Sequence, residues 1–305
     1  MFFIFEKEST VQTSKMRLPV MLFAFALILA IPALCLSQNV WGHFGFADKG
    51  DGKDFDVNIP QINPTADEWQ KLYKGGYITR MLDSPHGFKA GYLRFFAPFD
   101  PVTTYMIAND VKNFATVDPA FPKTKGRRSF MPYTFDCATC IDEGKPRLYQ
   151  LLVLPFIDPR KLCIDRMHNT TAFPWESSWK LVPGKVCCQD KVDPKMQEYA
   201  DKAVLIEKNL GAWHISPLPK KFRKTEADLM RTDCIYYVDT NPGGNMAKLG
   251  PLVNMAQSQA LPKIRDNVVF HGKRWEKHLQ KYYGPDLVAK YKKWQADYLT
   301  AIKGQ

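Results

Sequence analysis

Seven cysteines, three strand-borne or loop-borne histidines and a scatter of charged strand residues are the groups in this chain that could do chemistry. Cys137-Ala-Thr-Cys140 has the spacing of a redox pair or of half a zinc knuckle. A redox pair needs a helix N-terminus to stabilise the thiolate; here the motif ends a strand-like run and enters the turn Ile-Asp-Glu-Gly-Lys-Pro. A zinc knuckle needs a second spaced pair, and adjacent Cys187-Cys188 has no gap. Structural crosslinks or free thiols remain as readings. Asp48, Asp51, Asp54 and Asp56 lack the spacing and the terminal glutamate of a calcium loop. His86, His168 and His214 are the candidate acid–base groups, but no Ser or Cys stands at a spacing that suggests a nucleophile. No catalytic residue, metal or cofactor is expected. Arg128, Arg147, Arg166, Arg231, Asp165 and Asp233 fall on strand-like segments. Any that face inward must be paired or must meet a polar ligand group.

Those groups depend on the elements that carry them. Thr65-Ala-Asp-Glu68 is a capping box opening a helix over residues 65–73. Residues 88–96 read as a first strand, and 102–111 as a helix. Strands follow at 125–137, 146–154, 160–169, 175–182, 204–215 and 230–238, with a polar insertion or long loop at 187–203. Alternation on the last strand puts Thr232, Cys234, Tyr236 and Val238 on an inner face, and Arg231, Asp233, Ile235 and Tyr237 on a solvated one. Residues 245–270 form a long helix, softened by Pro251 and Pro262, and 279–302 an appended helical tail. The run of adjacent strands argues against a parallel doubly wound sheet.

Asp239-Thr-Asn-Pro-Gly-Gly244 joins the last strand to the long helix. Its glycines let the backbone reverse where a side chain would clash, making it a hinge candidate. Leu249, Leu252, Val253, Ala256 and Ala260 then recur at helical spacing. The fold expected is α+β: a curved antiparallel sheet wrapped around a long C-terminal helix, with space between the two.

With 45% hydrophobic and 24% charged residues, the 305-residue chain suits a globular domain with extensions. Residues 18–36 are apolar and follow Lys15 and Arg17, the anatomy of an export signal or of an uncleaved membrane anchor. The organisation expected is signal or anchor at 1–37, linker or arm at 38–64, ligand-binding domain at 65–270 and basic helical tail at 271–305. Export to the periplasm or outside the cell would leave Cys137, Cys140, Cys163, Cys187, Cys188 and Cys234 where disulfides form. The net charge of +11 is concentrated late, in Lys273, Arg274, Lys277, Lys281, Lys290, Lys292 and Lys293. An exported chain meets an anionic membrane surface rather than nucleic acid; a merely solvated helix face is the other reading.

The ordered motifs resemble START-like proteins of the helix-grip superfamily, which also holds pollen allergens and polyketide cyclases. The resemblance is carried by Pro98, Pro101, Val102, Tyr105 and Asp110 ahead of Asn113-Phe114, by Leu154-Pro-Phe-Ile-Asp-Pro-Arg160, and by Gly211-Ala-Trp-His-Ile215. It is strongest at Tyr237-Val-Asp-Thr-Asn-Pro-Gly-Gly244 with Leu252-Val-Asn254. It implies a helix-grip fold and a tunnel binding one lipid, sterol or other apolar molecule beneath the C-terminal helix. The large inward residues expected to line it are Tyr105, Tyr133, Tyr149, Trp175, Trp213 and Tyr236, with Leu249, Leu252, Val253 and Ala256 from the helix. A filled structural core and a cyclase-like enzyme are the alternatives the fold allows.

Overall fold

The computed structural model describes residues 57–110, 133–136, 147–152, 158–170, 173–184, 189–244 and 249–303. Helix α1 (Ala66–Tyr73) starts at the expected capping box: Thr65 Oγ1 accepts the Glu68 N–H, and the Glu68 carboxylate accepts the Thr65 N–H. Strand β1 (Tyr77–Asp83) follows, an edge strand that the sequence reading does not contain. Then come β2 (Lys89–Ala97) and α2 (Pro101–Asn109), the latter N-capped by Asp100. Four strands succeed them: β3 (Tyr133–Asp136), β4 (Arg147–Leu152), β5 (Arg160–Asn169) and β6 (Trp175–Leu181).

The polar insertion is not a plain loop, since it contains α3 (Pro194–Lys202). The strand expected at 204–215 is two: β7 (Val204–Leu205) and β8 (Lys208–Pro217). A short α4 (Glu226–Leu229) leads into β9 (Thr232–Asn241). The chain ends in α5 (Gly250–Gly272), α6 (Trp275–Tyr283) and α7 (Pro285–Lys303). Pro251 sits in the first turn of α5, where no N–H is needed, and Pro262 stays inside a continuous helix rather than breaking it. None of these helices is long and apolar enough to cross a membrane; residues 18–36 lie outside the described residues.

The strands form one sheet in the order β1-β2-β9-β8-β6-β5-β4-β3, each neighbour antiparallel, with β7 parallel to β5 off this path. Long α5 lies over its inner face, seated on β1, β2 and α2. This is the helix-grip arrangement expected from the sequence. The main core fills the space between, joining Leu93, Trp213 and Tyr236 of the sheet to Val253, Leu261 and Ile264 of α5.

The other face of the sheet is covered too. Tyr149, Leu151 and Cys163 pack under α3 with Val192 and Ala200. Leu72 of α1 packs on Ile78, Phe96 and Leu218. Ile59, with Val57 and Ile62, straps Tyr92, Ala212, Ile235 and Tyr237. The alternation on β9 therefore holds, but its outer residues are not solvated. Asp233 pairs with Arg94 at 2.9 and 2.5 Å, and Arg231 donates to the Tyr73 carbonyl at 2.8 Å. Cys234 is a buried free thiol on the inner face, so the six cysteines do not all pair.

Helices α6 and α7 are packed in the core rather than appended. All nine residues of α2 are buried, and a helix apolar on every side needs cover on every side. The sheet and α5 supply one side; Trp275, Leu279, Leu287, Tyr291 and Tyr298 supply the other. Directed bonds hold both ends of α2. Tyr291 Oη and Thr103 Oγ1 are 2.7 Å apart, and Gln295 donates to Asp100 at 2.7 Å. His278 Nε2 and Asp110 Oδ2 are 2.6 Å apart, and the Tyr283 hydroxyl donates to Asp110 Oδ1 at 2.5 Å.

Deleting residues 273–305 should therefore strip α2 and give an insoluble chain, measured as loss of soluble expression. His271, buried beside this cluster, adds a pH dependence. Burial above all, then His278 and Arg274 against Asp110, pulls its pKa down to about 4. Unfolded histidine takes up its proton near 6.5, so the unfolded state gains a proton between pH 6.5 and 4 that the native state refuses. Stability should fall through that window, by on the order of 3 kcal/mol. Carboxylates held below their usual range, Asp228 and Asp239 among them, act at lower pH. Urea unfolding at pH 7, 5.5 and 4 should show this slope in the native chain and a flatter one in His271→Asn.

Candidate functional site: the sheet face beneath the long helix

The strand registers place side chains in rows across the inner face. One row runs Leu93, Tyr236, Trp213, Ser177, His168 from β2 to β5. The next runs Gly91, Val238, Gly211, Trp179, Arg166. Rings fill the middle. Trp213 meets Tyr236 edge-on at 4.8 Å, Trp179 lies 5.7 Å from Tyr236, and Phe95 meets Trp213 at 6.4 Å. The two glycines make this packing fit. A Cβ at Gly91 would come within 3.2 Å of Leu261 on α5, and one at Gly211 would run into the Trp179 ring and the Tyr237 carbonyl.

At the β5–β6 end the wall turns polar. Arg166 is 1% exposed, although it sits on a strand inside the body. Its guanidinium lies 2.6 Å from His168 Nε2, and Tyr105 Oη lies 2.6 Å from His168 Nδ1 and donates to the Glu176 carbonyl at 3.0 Å. A guanidinium only donates, so Nε2 must accept. The imidazole then carries its proton on Nδ1 and gives it to the Tyr105 oxygen, whose own proton goes to the carbonyl. Burial holds the Tyr105 phenol far above its usual range, with Arg166 opposing and Glu176 adding. Ser177 donates to Asn109 Oδ1 at 2.5 Å, and Asn109 donates to the Tyr105 carbonyl at 2.8 Å. This chain of bonds orients groups; it leaves neither His168 nitrogen open to move a substrate proton.

The other two candidate histidines lie away from this face. His214 is on the outer side of β8, 2.9 Å from Glu176 Oε2. His86, in the turn before β2, lies 2.5 Å from Asp239 Oδ1, which also accepts from Ser84 and Lys208 through its second oxygen. These bonds lash the β1–β2 turn to the end of β9.

Of the residues expected to line a cavity, Tyr105, Trp175, Trp213, Tyr236 and Val253 are brought together in the main core. Tyr149 is not: it faces the opposite side of the sheet, under α3. Leu249 precedes α5 and is 41% exposed, so it lines nothing. The side chains of Tyr133, Leu252 and Ala256 lie outside the described residues. The residue sequence reasoning missed is Gln257. It stands in the buried stripe Val253, Gln257, Ala260, Leu261, Ile264, Val268, and a polar type at a helix-core position is a signal the spacing already contains.

Helix α5 is entered through Gly243 and Gly244, both at positive φ. The Gly243 N–H donates to Asn241 Oδ1 at 3.1 Å, and Glu207 accepts from Asn241 Nδ2 at 2.9 Å. Along its length Asn254 Oδ1 accepts the Lys89 N–H at 2.9 Å, and Arg265 donates to the Gly75 carbonyl at 2.6 Å. Both bonds reach the β1–β2 side of the sheet.

No family model and no curated protein matches the chain. Among solved structures it is similar to human STARD10, at 12% identity and TM-score 0.45, over 74% of this chain and 86% of that one. It is also similar to a STAR-related lipid transfer protein fragment from Xanthomonas axonopodis, at 11% identity and TM-score 0.40, over 68% and 97%. The lipid transfer and protein localization domain of human StarD13 matches at 10% identity and TM-score 0.37, over 68% and 98%. The chain's own strand order and helix placement give the helix-grip arrangement described above.

Gly211 offers a direct check of the wall. Gly211→Ala should destabilise the chain by about 1–3 kcal/mol, the usual cost of overpacking a core, read as a lowered urea midpoint with unchanged slope.

Proposed function

We propose that this chain binds a single lipid or other apolar molecule between the inner sheet face and α5, and carries it between membranes without chemical change. The observation that supports this most is α5 itself. It is a 23-residue helix laid over a wall of aromatic rings, entered by a glycine pair and bonded to the sheet along one side. Such a roof can part from a wall whose lining is mostly apolar, and a small number of polar groups then orient what enters. The buried Tyr105–His168–Arg166 chain is one such polar station. The resemblance of the Tyr237–Gly244 junction to the START-like lid entry points the same way.

In this reading residues 18–36 direct export, and the exposed lysines of α6 and α7 hold the protein near anionic lipid. The exposed cations Lys277, Lys281, Lys290 and Lys293 stand on these helices.

Native mass spectrometry of the purified protein, before and after incubation with lipid vesicles, tests the binding reading. One copy of an apolar ligand per chain is expected; an apo mass alone, with no uptake from vesicles, overturns it. Lys277, Lys290 and Lys293 changed to Glu should weaken sedimentation with phosphatidylserine vesicles at low salt, and native binding should itself fall as salt rises. Unchanged sedimentation would remove α6 and α7 from the membrane contact.

A further inference from the structure

Arg160 is a buried cation that no carboxylate answers among the described residues. It stands at the start of β5 and is 2% exposed. Strand parity turns it to the α5 side of the sheet. Leu162 and Ile164, in step with it, enter the main core, whereas its neighbour Lys161 reaches Gln189 and the Ala200 carbonyl on the α3 side. Arg160 Nη1 donates to the carbonyls of Asp158 and Pro159 at 2.8 and 3.3 Å. The other edge of the fork is unused: Nε has no partner, and Nη2 makes no hydrogen bond among the described residues. A guanidinium stays charged in a protein, and a buried charge without a counter-charge is costly. Burial pulls the Arg160 pKa below its usual value, with the Asp158 charge opposing. Arg94, on the outer face, shows how such an edge is normally filled: its Nε and Nη2 take the two oxygens of Asp233 at 2.9 and 2.5 Å. The open edge of Arg160 lies at the turn from β9 into α5. Nη2 is 3.9 Å from where a Gly244 Cβ would stand, and Val204 of β7 is 3.3 Å from the same point. The carboxylate at that turn, Glu207, accepts instead from Asn241 Nδ2 and the Gly244 N–H.

We propose that the Nε–Nη2 edge of Arg160 binds an oxyanion, a phosphate or a carboxylate, at the glycine entry to α5. This rests on the ligand-binding reading above where the oxyanion is the charged end of a lipid; free phosphate is the other source of the same chemistry. Two parallel N–H donors match two oxygens of one such group, and the charge of the group supplies what the buried guanidinium lacks. A hydroxyl offers one oxygen and leaves the charge unmet. The apolar part of a lipid held this way runs from the turn along the inner face, where Leu162 and Ile164 follow Arg160 on the same strand.

The test has two arms, both on the full-length protein. In the first, trace radiolabelled dioleoyl phosphatidic acid or dioleoylglycerol, which differ only in the phosphate, is offered in phosphatidylcholine vesicles holding the same share of phosphatidylserine. Uptake is counted after separation from the vesicles. Phosphatidic acid should be taken up about tenfold more tightly, the gain of roughly one charge-assisted hydrogen bond. Arg160→Met should bring it down to the level of dioleoylglycerol and leave dioleoylglycerol uptake unchanged, which also shows that the variant folds. Arg160→Lys keeps the charge without the two-donor edge; it should cut the preference about threefold, and it carries the test if the Met variant does not fold. In the second arm the thermal midpoint is followed in inorganic phosphate against chloride of equal ionic strength. A saturable rise that Arg160→Met abolishes, without a preference for phosphatidic acid, assigns the site to free phosphate rather than to a headgroup. No preference and no rise, or either effect persisting in Arg160→Met, overturns the oxyanion site, while dioleoylglycerol uptake keeps the binding reading standing. Uptake of neither lipid overturns the binding reading, and the phosphate arm then decides the site alone.

Discussion

The burial of α2 is the constraint on which the rest of this body depends. Nine consecutive residues with no exposed side cannot be satisfied by a sheet alone, because a sheet covers one face of a helix. Two further layers are needed: α5, part of the helix-grip unit itself, covers one flank, and α6 and α7, which follow it in the chain, cover the other. Polar residues at the two ends of α2 make this cover specific rather than merely greasy. Asp100 caps its first turn and also accepts from Gln295. Asp110, fully buried at its last turn, is held by His278 and Tyr283. A buried carboxylate without donors would be prohibitive, so α6 can dock in one register only.

The same economy governs the inner face. Tyr105, projecting from α2, reaches His168 across the core and fixes its tautomer, and His168 in turn receives Arg166. A protein that used His168 as a base would need one ring nitrogen pointed at a substrate; here both are turned to the protein. Tyr105 and His168 are thereby spent on other protein groups, and the rest of the inner face is mostly apolar.

Much of this was legible in the sequence where one signal dominated. The strand at 160–169 and the capping box at Thr65 stand as expected, because alternation and cap chemistry are local. The parity of β9 was legible too, for Cys234, Tyr236 and Val238 all enter the main core. What failed was non-local. The edge strand β1 alternates weakly, since α1 covers part of its outer side and Arg80 and Thr79 interrupt the pattern. Tyr149 was assigned inward because aromatic strand residues usually face a core; this sheet has cores on both sides, and α3, hidden in a polar stretch, supplies the second. Residues 279–302 read as an appended basic tail because lysines crowd one side, while Leu287, Tyr291, Tyr298 and Ile302 form the buried stripe on the other.

The attachments of α5 are unequal along its length, and that inequality has mechanical meaning. Its C-terminal half is held by Arg265 on the Gly75 carbonyl, by Gly272 pressed so close to the Phe99 ring that no Cβ would fit, and by the continuation into α6. Its N-terminal half has Asn254 on the Lys89 N–H, an exposed Leu249, and Met255 at 38% exposure. The strand feeding it ends in two positive-φ glycines steadied by Asn241 and Glu207. Among the described residues, displacing the N-terminal half breaks one directed bond to the sheet and turns a glycine pair that tolerates many backbone angles. Displacing the C-terminal half would unseat α6 from Asp110 and expose α2. The low-cost opening is thus at the N-terminal end of α5, where the directed bonds to the body are fewest among the described residues.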